Sequence, residues 1–303
     1  MPNRFAFSER IHHIALTAGL LLAAAAPCFS QNTLHVKWEE LTGPDFIAAI
    51  SKAQGTCLLP IGILEKHGPH MPIGTDLLNV RYVSMHAAEQ EYAVVFPEYY
   101  FGQIFEAKQE PGTVAYSAKI QLELLQETTD EMSRNGCKKI IIVNGHGGNT
   151  SMLPFFGQSQ LSQPRDYVIY YSWYPGPEKN TPGRPALKSS FELHAGEAET
   201  SAMMVNRPDL LRMDQVGTQS GADLQRLKEL PAGLYTPIWW YARFPNHYAG
   251  DAAPANVALG EFDMKAAIGD LVRTIRAVKA DEVSKKLQDE FFEKSKHPLD
   301  TKQ

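Results

Sequence analysis

Thr56-Cys-Leu-Leu-Pro-Ile-Gly-Ile-Leu64 and Lys138-Lys-Ile-Ile-Ile-Val143 are near-continuous apolar runs, and each leads directly into glycine-rich polar sequence. Strands covered on both faces read this way, because neither face alternates with solvent. Tyr167 to Trp173 adds a β-branched and aromatic run of the same kind. Between the runs the period changes. From Lys119 to Asn135, Ile120, Leu124, Leu125, Thr128 and Met132 fall on roughly one helical face, with Ser117 as N-cap and Gly136 as the stop. Leu77 to Glu91 reads as another helix, opening just after Asp76. This alternation predicts an α/β fold: a single domain with a mainly parallel β-sheet flanked by helices, binding its ligands beyond the carboxyl ends of the strands.

Outward from that frame the chain is less regular. Pro175 to Pro185 reads as a loop, residues 196–205 as a helix, and Phe262 to Phe292 as helical. Residues 207–258 carry scattered Pro and Gly around Trp239-Trp240-Tyr241; such a stretch is often a lid, a binding wall or an oligomer contact. The aromatic cluster itself is read first as core or interface and second as a substrate wall, together with Trp173.

The 303 residues, 44% of them hydrophobic, suffice for a large core, and a net charge of −5 offers no basic stripe for nucleic acid. Arg4 and Arg10 precede the apolar stretch Ile14 to Ala26, and Cys28-Phe-Ser30 supplies small residues. Residues 1–30 therefore read as a signal peptide cut after Ser30, leaving a domain over 31–303 in the bacterial periplasm or secreted. Pro27 makes Cys28 a poor lipidation site. The apolar stretch is too short for a stable membrane span. Cys57 and Cys137 remain, and both are read first as buried free thiols, since two cysteines make no disulfide framework, with a disulfide in an oxidising compartment as the alternative.

Chemistry concentrates in three places. Gly62-Ile-Leu-Glu65-Lys-His67-Gly-Pro-His70-Met-Pro-Ile-Gly-Thr-Asp76 follows the first strand and Asn144-Gly-His146-Gly-Gly-Asn149 follows the second. Glu65 and His67, two apart on an extended segment, point the same way, and a Gly-Pro-rich turn can fold Asp76 back toward them. Glycines flanking His146 let backbone approach a ligand; a phosphate cradle is the competing reading, and the lack of a P-loop Lys-Ser/Thr pair and of a dinucleotide fingerprint counts against it. The third cluster, Glu192-Leu-His194-Ala-Gly-Glu197-Ala-Glu199-Thr-Ser201, is by itself an ordinary acidic helix start. Beside the other two it supplies a further ligand and a proton donor. Glu, Asp and His donors suit Zn²⁺, Mn²⁺ or Fe²⁺, and a carboxylate between two metals can bridge them. His86 and His247 are read as structural or exposed, His247 being near enough to Gly250 to reach the site.

Taken together, the three runs resemble the creatininase (creatinine amidohydrolase) family, with Pro111-Gly-Thr113 and Gly250-Asp251 matching as well, over about residues 50–275. The resemblance implies two divalent ions (Zn, Mn or Fe) per subunit of a homo-oligomer, usually a hexamer. It implies hydrolysis of a C–N bond in a small amide, cyclic amide or formamide by a metal-activated water. Carried over by position, Glu65 and His146 hold one metal, His67 the other, Asp76 bridges them, and His194 is the catalytic acid/base. Creatininase itself takes a ligand from a Glu where this chain has Gly148. This chain is similar instead to the Gly147-Gly148 branch, in which Glu199 completes the second metal, and creatinine is not its expected substrate. His70, Gly147, Gly148, Glu197 and Trp173 are expected to support the ligands or face substrate. A peptidase-like or deformylase activity, or a non-catalytic metal- or ligand-binding role, are the other readings.

Overall fold

The computed structural model describes residues 34–173, 177–178 and 180–300, with Met1 and Lys302. The chain divides into Met1–Thr33 and Leu34–Gln303, and the signal-peptide expectation, with its cut after Ser30, lies outside the described residues. In the second unit, strands β1 (Thr56–Ile61), β2 (Val94–Val95), β3 (Lys139–Asn144) and β4 (Val168–Trp173) form a parallel sheet in the order β2-β1-β3-β4. Helices α1 (Gly43–Lys52), α2 (Thr75–Gln90), α3 (Ala118–Arg134) and α4 (Asn149–Ser159) precede or connect the strands. A second, two-stranded antiparallel sheet pairs β5 (Glu192–His194) with β6 (Ala249–Gly250). Helix α5 (Glu197–Asn206) follows β5, α6 (Trp239–Arg243) precedes β6, and α7 (Val257–Ala280) and α8 (Ser284–Ser295) close the chain.

The continuous apolar runs are explained by what covers them. Leu58, Ile141 and Val143 pack with Val80 and Val83 of α2 and with Met264, Leu271 and Ile275 of α7. On the opposite face Cys57, Leu59, Ile61, Ile140 and Ile142 pack with Leu125 and Met132 of α3 and Leu153 and Phe156 of α4. Alternate residues thus feed two separate cores. Pro60 sits in β1 without weakening the ladder. On the β2 side Leu58 O accepts from Phe96 N and Gly62 N donates to Tyr99 O, and β2 ends before a donor is needed at Pro60.

Several expectations shift. Helix α3 starts at its Ser117 cap, whose side chain accepts from Ile120 N, but its buried stripe is Gln121, Leu125, Thr129 and Met132, and Ile120 is exposed. Gln121 and Thr129 are tolerated inside because Tyr116 O and Gln126 O accept from them. The helical tail breaks in two where Asp281 accepts from the N–H groups of Val283 and Ser284.

Cys57 and Cys137, expected as free thiols, form a disulfide with a Cα–Cα distance of 5.7 Å. The reason is register. Cys57 lies beside Ile140 in the β1–β3 pairing, and the turn after α3 sets Cys137 just before that point, so both cysteines reach the N-terminal end of adjacent strands. Closing a loop with a sequence separation of 80 is worth about 4–5 kcal/mol in a chain-entropy account. A Cys57→Ala/Cys137→Ala variant is expected to lose stability on that scale in denaturant unfolding; a midpoint unchanged from wild type would show that the bond contributes nothing.

Candidate metal centre

The sheet places its chemistry at the carboxyl ends of β1 and β3. Ile61 pairs with Asn144, and Gly145 N donates to Ile61 O at 2.8 Å, so the segments carrying Glu65 and His146 leave the sheet side by side. The first segment then doubles back: Glu65 N donates to Ile73 O at 3.0 Å, and His67 bridges antiparallel to Met71 across a turn through Gly68. That return delivers Asp76 to the start of α2. Two glycines let α2 lie directly on the rim. A Cβ on Gly62 would stand 2.4 Å from Leu77 Cα, and one on Gly145 would stand 2.6 Å from Val80 Cβ.

Asp76 therefore comes to rest between two histidines. Its Oδ1 is 3.0 Å from His67 Nε2 and its Oδ2 is 2.9 Å from His146 Nδ1. Glu65 Oε1 is also 2.9 Å from His146 Nδ1. On the far side of that ring His146 Nε2 donates to Gln103 O at 2.9 Å, committing its proton there and leaving Nδ1 as the inward atom. Glu65 Oε1 and Asp76 Oδ2 are buried with no hydrogen-bond partner. Three electron-pair donors facing one another are stable only around a cation, either a proton on the ring or a metal ion. Accordingly Glu65, Asp76 and His146 form one group able to hold a metal, and Glu65, His67 and His194 form a second.

The electrostatics follow from the crowding. Burial works against the Glu65 carboxylate, but His146, His194 and His247 outweigh it and hold Glu65 well below the usual carboxylate range. Burial likewise opposes charge on His67, yet Asp76 and Glu65 push it up to about 9. His194 behaves oppositely: burial pulls it down to about 3 against the attraction of Glu65, with His67 and His247 adding repulsion. Its Nε2 donates to Lys66 O at 2.9 Å, so its Nδ1 lone pair is the one near the cluster.

Other expected residues take distinct places. Glu199 lines the cavity, accepts from Ala195 N at 2.6 Å and lies 4.0 Å from His194 Nδ1, outside both compact donor groups. Glu197 is fully buried and does not line the cavity; it accepts from Lys188 N and Ser189 N, tying the preceding loop to α5. His70 bonds Thr200 Oγ1 at 2.9 Å and so fastens the turn through Gly68 to α5. Gly147 and Gly148 line the cavity, and a Cβ on Gly148 would stand 2.4 Å from His146 Nε2. The Trp173 side chain lies outside the described residues.

One residue in this cluster exceeds its expected role. His247 is buried, in left-handed backbone (φ 49°), and its Nε2 bonds Glu65 Oε2. Trp240 Nε1 donates to His247 Nδ1 at 2.8 Å. An indole only donates, so His247 carries its proton on Nε2 and gives it to Glu65. The pairing of β5 with β6 explains the arrival: His194 lies beside Ala249, which sets the His194 and His247 rings 4.6 Å apart. Trp239, Trp240 and Tyr241 all line the cavity.

A parallel sheet with buried carboxylates and imidazoles converging at its carboxyl rim, beneath a cavity of about 1380 Å³, defines a metal-dependent hydrolase. The chain belongs to the creatininase family, whose model, described as creatinine amidohydrolase, matches residues 39–275. It is 26% identical over 234 residues to the creatinine amidohydrolase of Pseudomonas putida, covering 72% of this chain and 85% of that protein. To the mycofactocin precursor peptide peptidase of Mycolicibacterium smegmatis it is 31% identical over 176 residues, 56% of this chain and 65% of the relative. A solved manganese form of creatininase shares the fold with a TM-score of 0.66 at 22% identity, over 82% of this chain and 100% of its own.

Replacing Trp240 with Phe removes the donor that fixes the His247 tautomer while leaving the ring contacts. Metal affinity is expected to fall about 10- to 100-fold, as for other partners of ligand-orienting groups, with the thermal midpoint nearly unchanged. Titration against a chromophoric chelator measures it, and wild-type affinity would remove the Trp240–His247 pair from the metal site.

Proposed function

We propose that this chain is a dinuclear metal-dependent amidohydrolase that cleaves a C–N bond in an amide, cyclic amide or formamide. One observation carries the reading: Asp76 directs one carboxylate oxygen toward His67 and the other toward His146. That is the disposition of a bridging ligand. Glu65 and His146 would hold one ion with Asp76, and His67 the other. Glu199, which lines the cavity 4.0 Å from His194 Nδ1, would complete the second ion in place of His194, leaving that imidazole free for proton transfer. Two divalent ions there, zinc, manganese or iron by the donor set, would ionise a water near neutral pH and polarise the scissile carbonyl.

The chain's own residues handle the proton. His194 is neutral at pH 7 with its Nδ1 lone pair near the cluster, held in that tautomer by Lys66 O. It can take the proton of the attacking water and pass it to the departing nitrogen, which needs it because an amide anion leaves poorly. Trp239, Trp240 and Tyr241 wall the cavity over the reacting centre.

A cavity of about 1380 Å³ exceeds the roughly 300–1,000 Å³ usual for small-molecule pockets, which favours a peptide-like amide as the second reading. A periplasmic or secreted location is part of the proposal, supported by the leader-like pattern up to Ser30 and by the disulfide. Among the described residues, no helix is long and apolar enough to cross a membrane. A homo-oligomer is supported by Leu234, Tyr235 and Ile238, which stand exposed close to the aromatic wall.

Metal-loaded protein is expected to hydrolyse at least one member of a panel of lactams, formamides and blocked peptides, and to stop when a chelator is added. Chelator-insensitive turnover, or none at all, would refute the proposal. Asp76→Ala is expected to lose both ions by metal analysis, and two ions retained per chain would reject the bridge. His194→Ala is expected to keep its metals and lose turnover about 10²- to 10⁴-fold. Near-normal kcat would show that His194 is not the proton carrier.

A further inference from the structure

The cavity is lined by further polar side chains outside the cluster of carboxylates and imidazoles. Arg184 and Asp263 are among them and pair through two bonds, Nε to Oδ1 at 2.7 Å and Nη2 to Oδ2 at 2.6 Å. Their side chains are only 6% and 11% exposed. Asn79 lines the same cavity, and its Oδ1 accepts from Asn206 Nδ2 at 3.1 Å, which leaves the Asn79 Nδ2 group as a donor. Among the described residues, no group accepts a hydrogen bond from Asn79 Nδ2 or from Arg184 Nη1.

A guanidinium offers two forks. Asp263 fills the Nε/Nη2 fork and fixes the plane, and Glu192 and Glu197 act on the charge from further off, so the Nη1/Nη2 edge keeps a set orientation and Nη1 bonds no protein group among the described residues. That edge matches a carboxylate, which it can bind through two parallel charge-assisted bonds. A pair serving packing alone is a costly way to fill a wall, because apolar residues of similar volume do as well or better there. Asn79 stands three residues beyond Asp76 on α2, about 4.5 Å along the helix axis from the candidate bridging ligand. Asn79 and Asp76 therefore share one wall of the cavity, about one helical turn apart.

We propose that the substrate carries a carboxylate as well as the scissile amide, received by the free edge of Arg184, with Asn79 a second donor on the same cavity. This rests on the hydrolase reading for the identity of the amide but not for the anion site. The class is that of monoamides of short dicarboxylic acids, or an acyl chain ending in an acid. The neighbouring Arg184–Asp263 pair is a positioning device that distinguishes an anionic from an uncharged amide.

The test uses chelator-stripped protein and calorimetry with malonamate, succinamate, glutaramate and adipamate, each against its uncharged diamide. At least one monoamide is expected to bind tenfold or more tightly than its diamide. Because Arg184→Ala alone strands Asp263, the variant of choice is Arg184→Met/Asp263→Leu, with its thermal midpoint checked; the preference is expected to vanish there. In Asn79→Ala it is expected to shrink about tenfold. Equal binding of every pair by wild type, or a preference that survives in the double variant, would overturn the proposal. Metal-loaded protein is then assayed on the same pairs. Turnover that ignores the carboxylate counts against the anion site alone, whereas an absence of any amide turnover counts against the hydrolase reading while the calorimetry still decides the anion.

Discussion

The close approach of one helix to the rim of a sheet is the constraint on which this site depends. Helix α2 rests against β1 and the turn after β3 at Gly62 and Gly145, where a single methyl group would overlap Leu77 or Val80. Only at that distance does Asp76 reach both His67 and His146. The contact is otherwise unfavourable, since it buries Asp76 beside Glu65, two like charges in a low-dielectric setting. The surrounding imidazoles answer that repulsion in the metal-free protein, as the raised His67 and the lowered Glu65 record. Folding thus builds a cage of carboxylates and imidazoles in which a multivalent cation can take the place of the protons on the rings. The apolar cores on the two faces of the sheet hold the cage shut.

Much of this was legible from residue order because the relevant information is local. Apolar runs without alternation specify strands buried on both faces, and the glycines after each run specify close backbone approach at the strand ends. Glu65, His67, Asp76 and His146 sit within a few residues of those ends, so recognising the strands nearly places the ligands. Helix α3 was likewise set by Ser117 and Gly136, although burial of Gln121 and Thr129 rotated its inner face away from Ile120. There, side-chain hydrogen bonds outweighed simple apolarity.

What stayed hidden depends on register between distant segments. The Cys57–Cys137 bond requires β1 and β3 to be neighbours in one particular alignment, and nothing near either cysteine encodes that. His247 lies in the least periodic part of the chain and owes its position to a two-residue strand, β6. The only local hint is Gly250-Asp251 just beyond it. Glu197 shows the opposite case: it neighbours the candidate ligands in sequence, but its helix turns it to the backbone of Lys188 and Ser189 and it does not line the cavity.

The loop that carries Trp239, Trp240 and Tyr241 to the cavity wall also carries His247 to Glu65. Two tasks are therefore fused in one short stretch of chain. Reshaping the aromatic surface to admit a different molecule tugs on the imidazole that steadies a carboxylate of the cage. In this scaffold, selectivity for the molecule being cut and tenacity toward the ions cannot drift independently, and variants that broaden the first are expected to need compensating changes around Glu65.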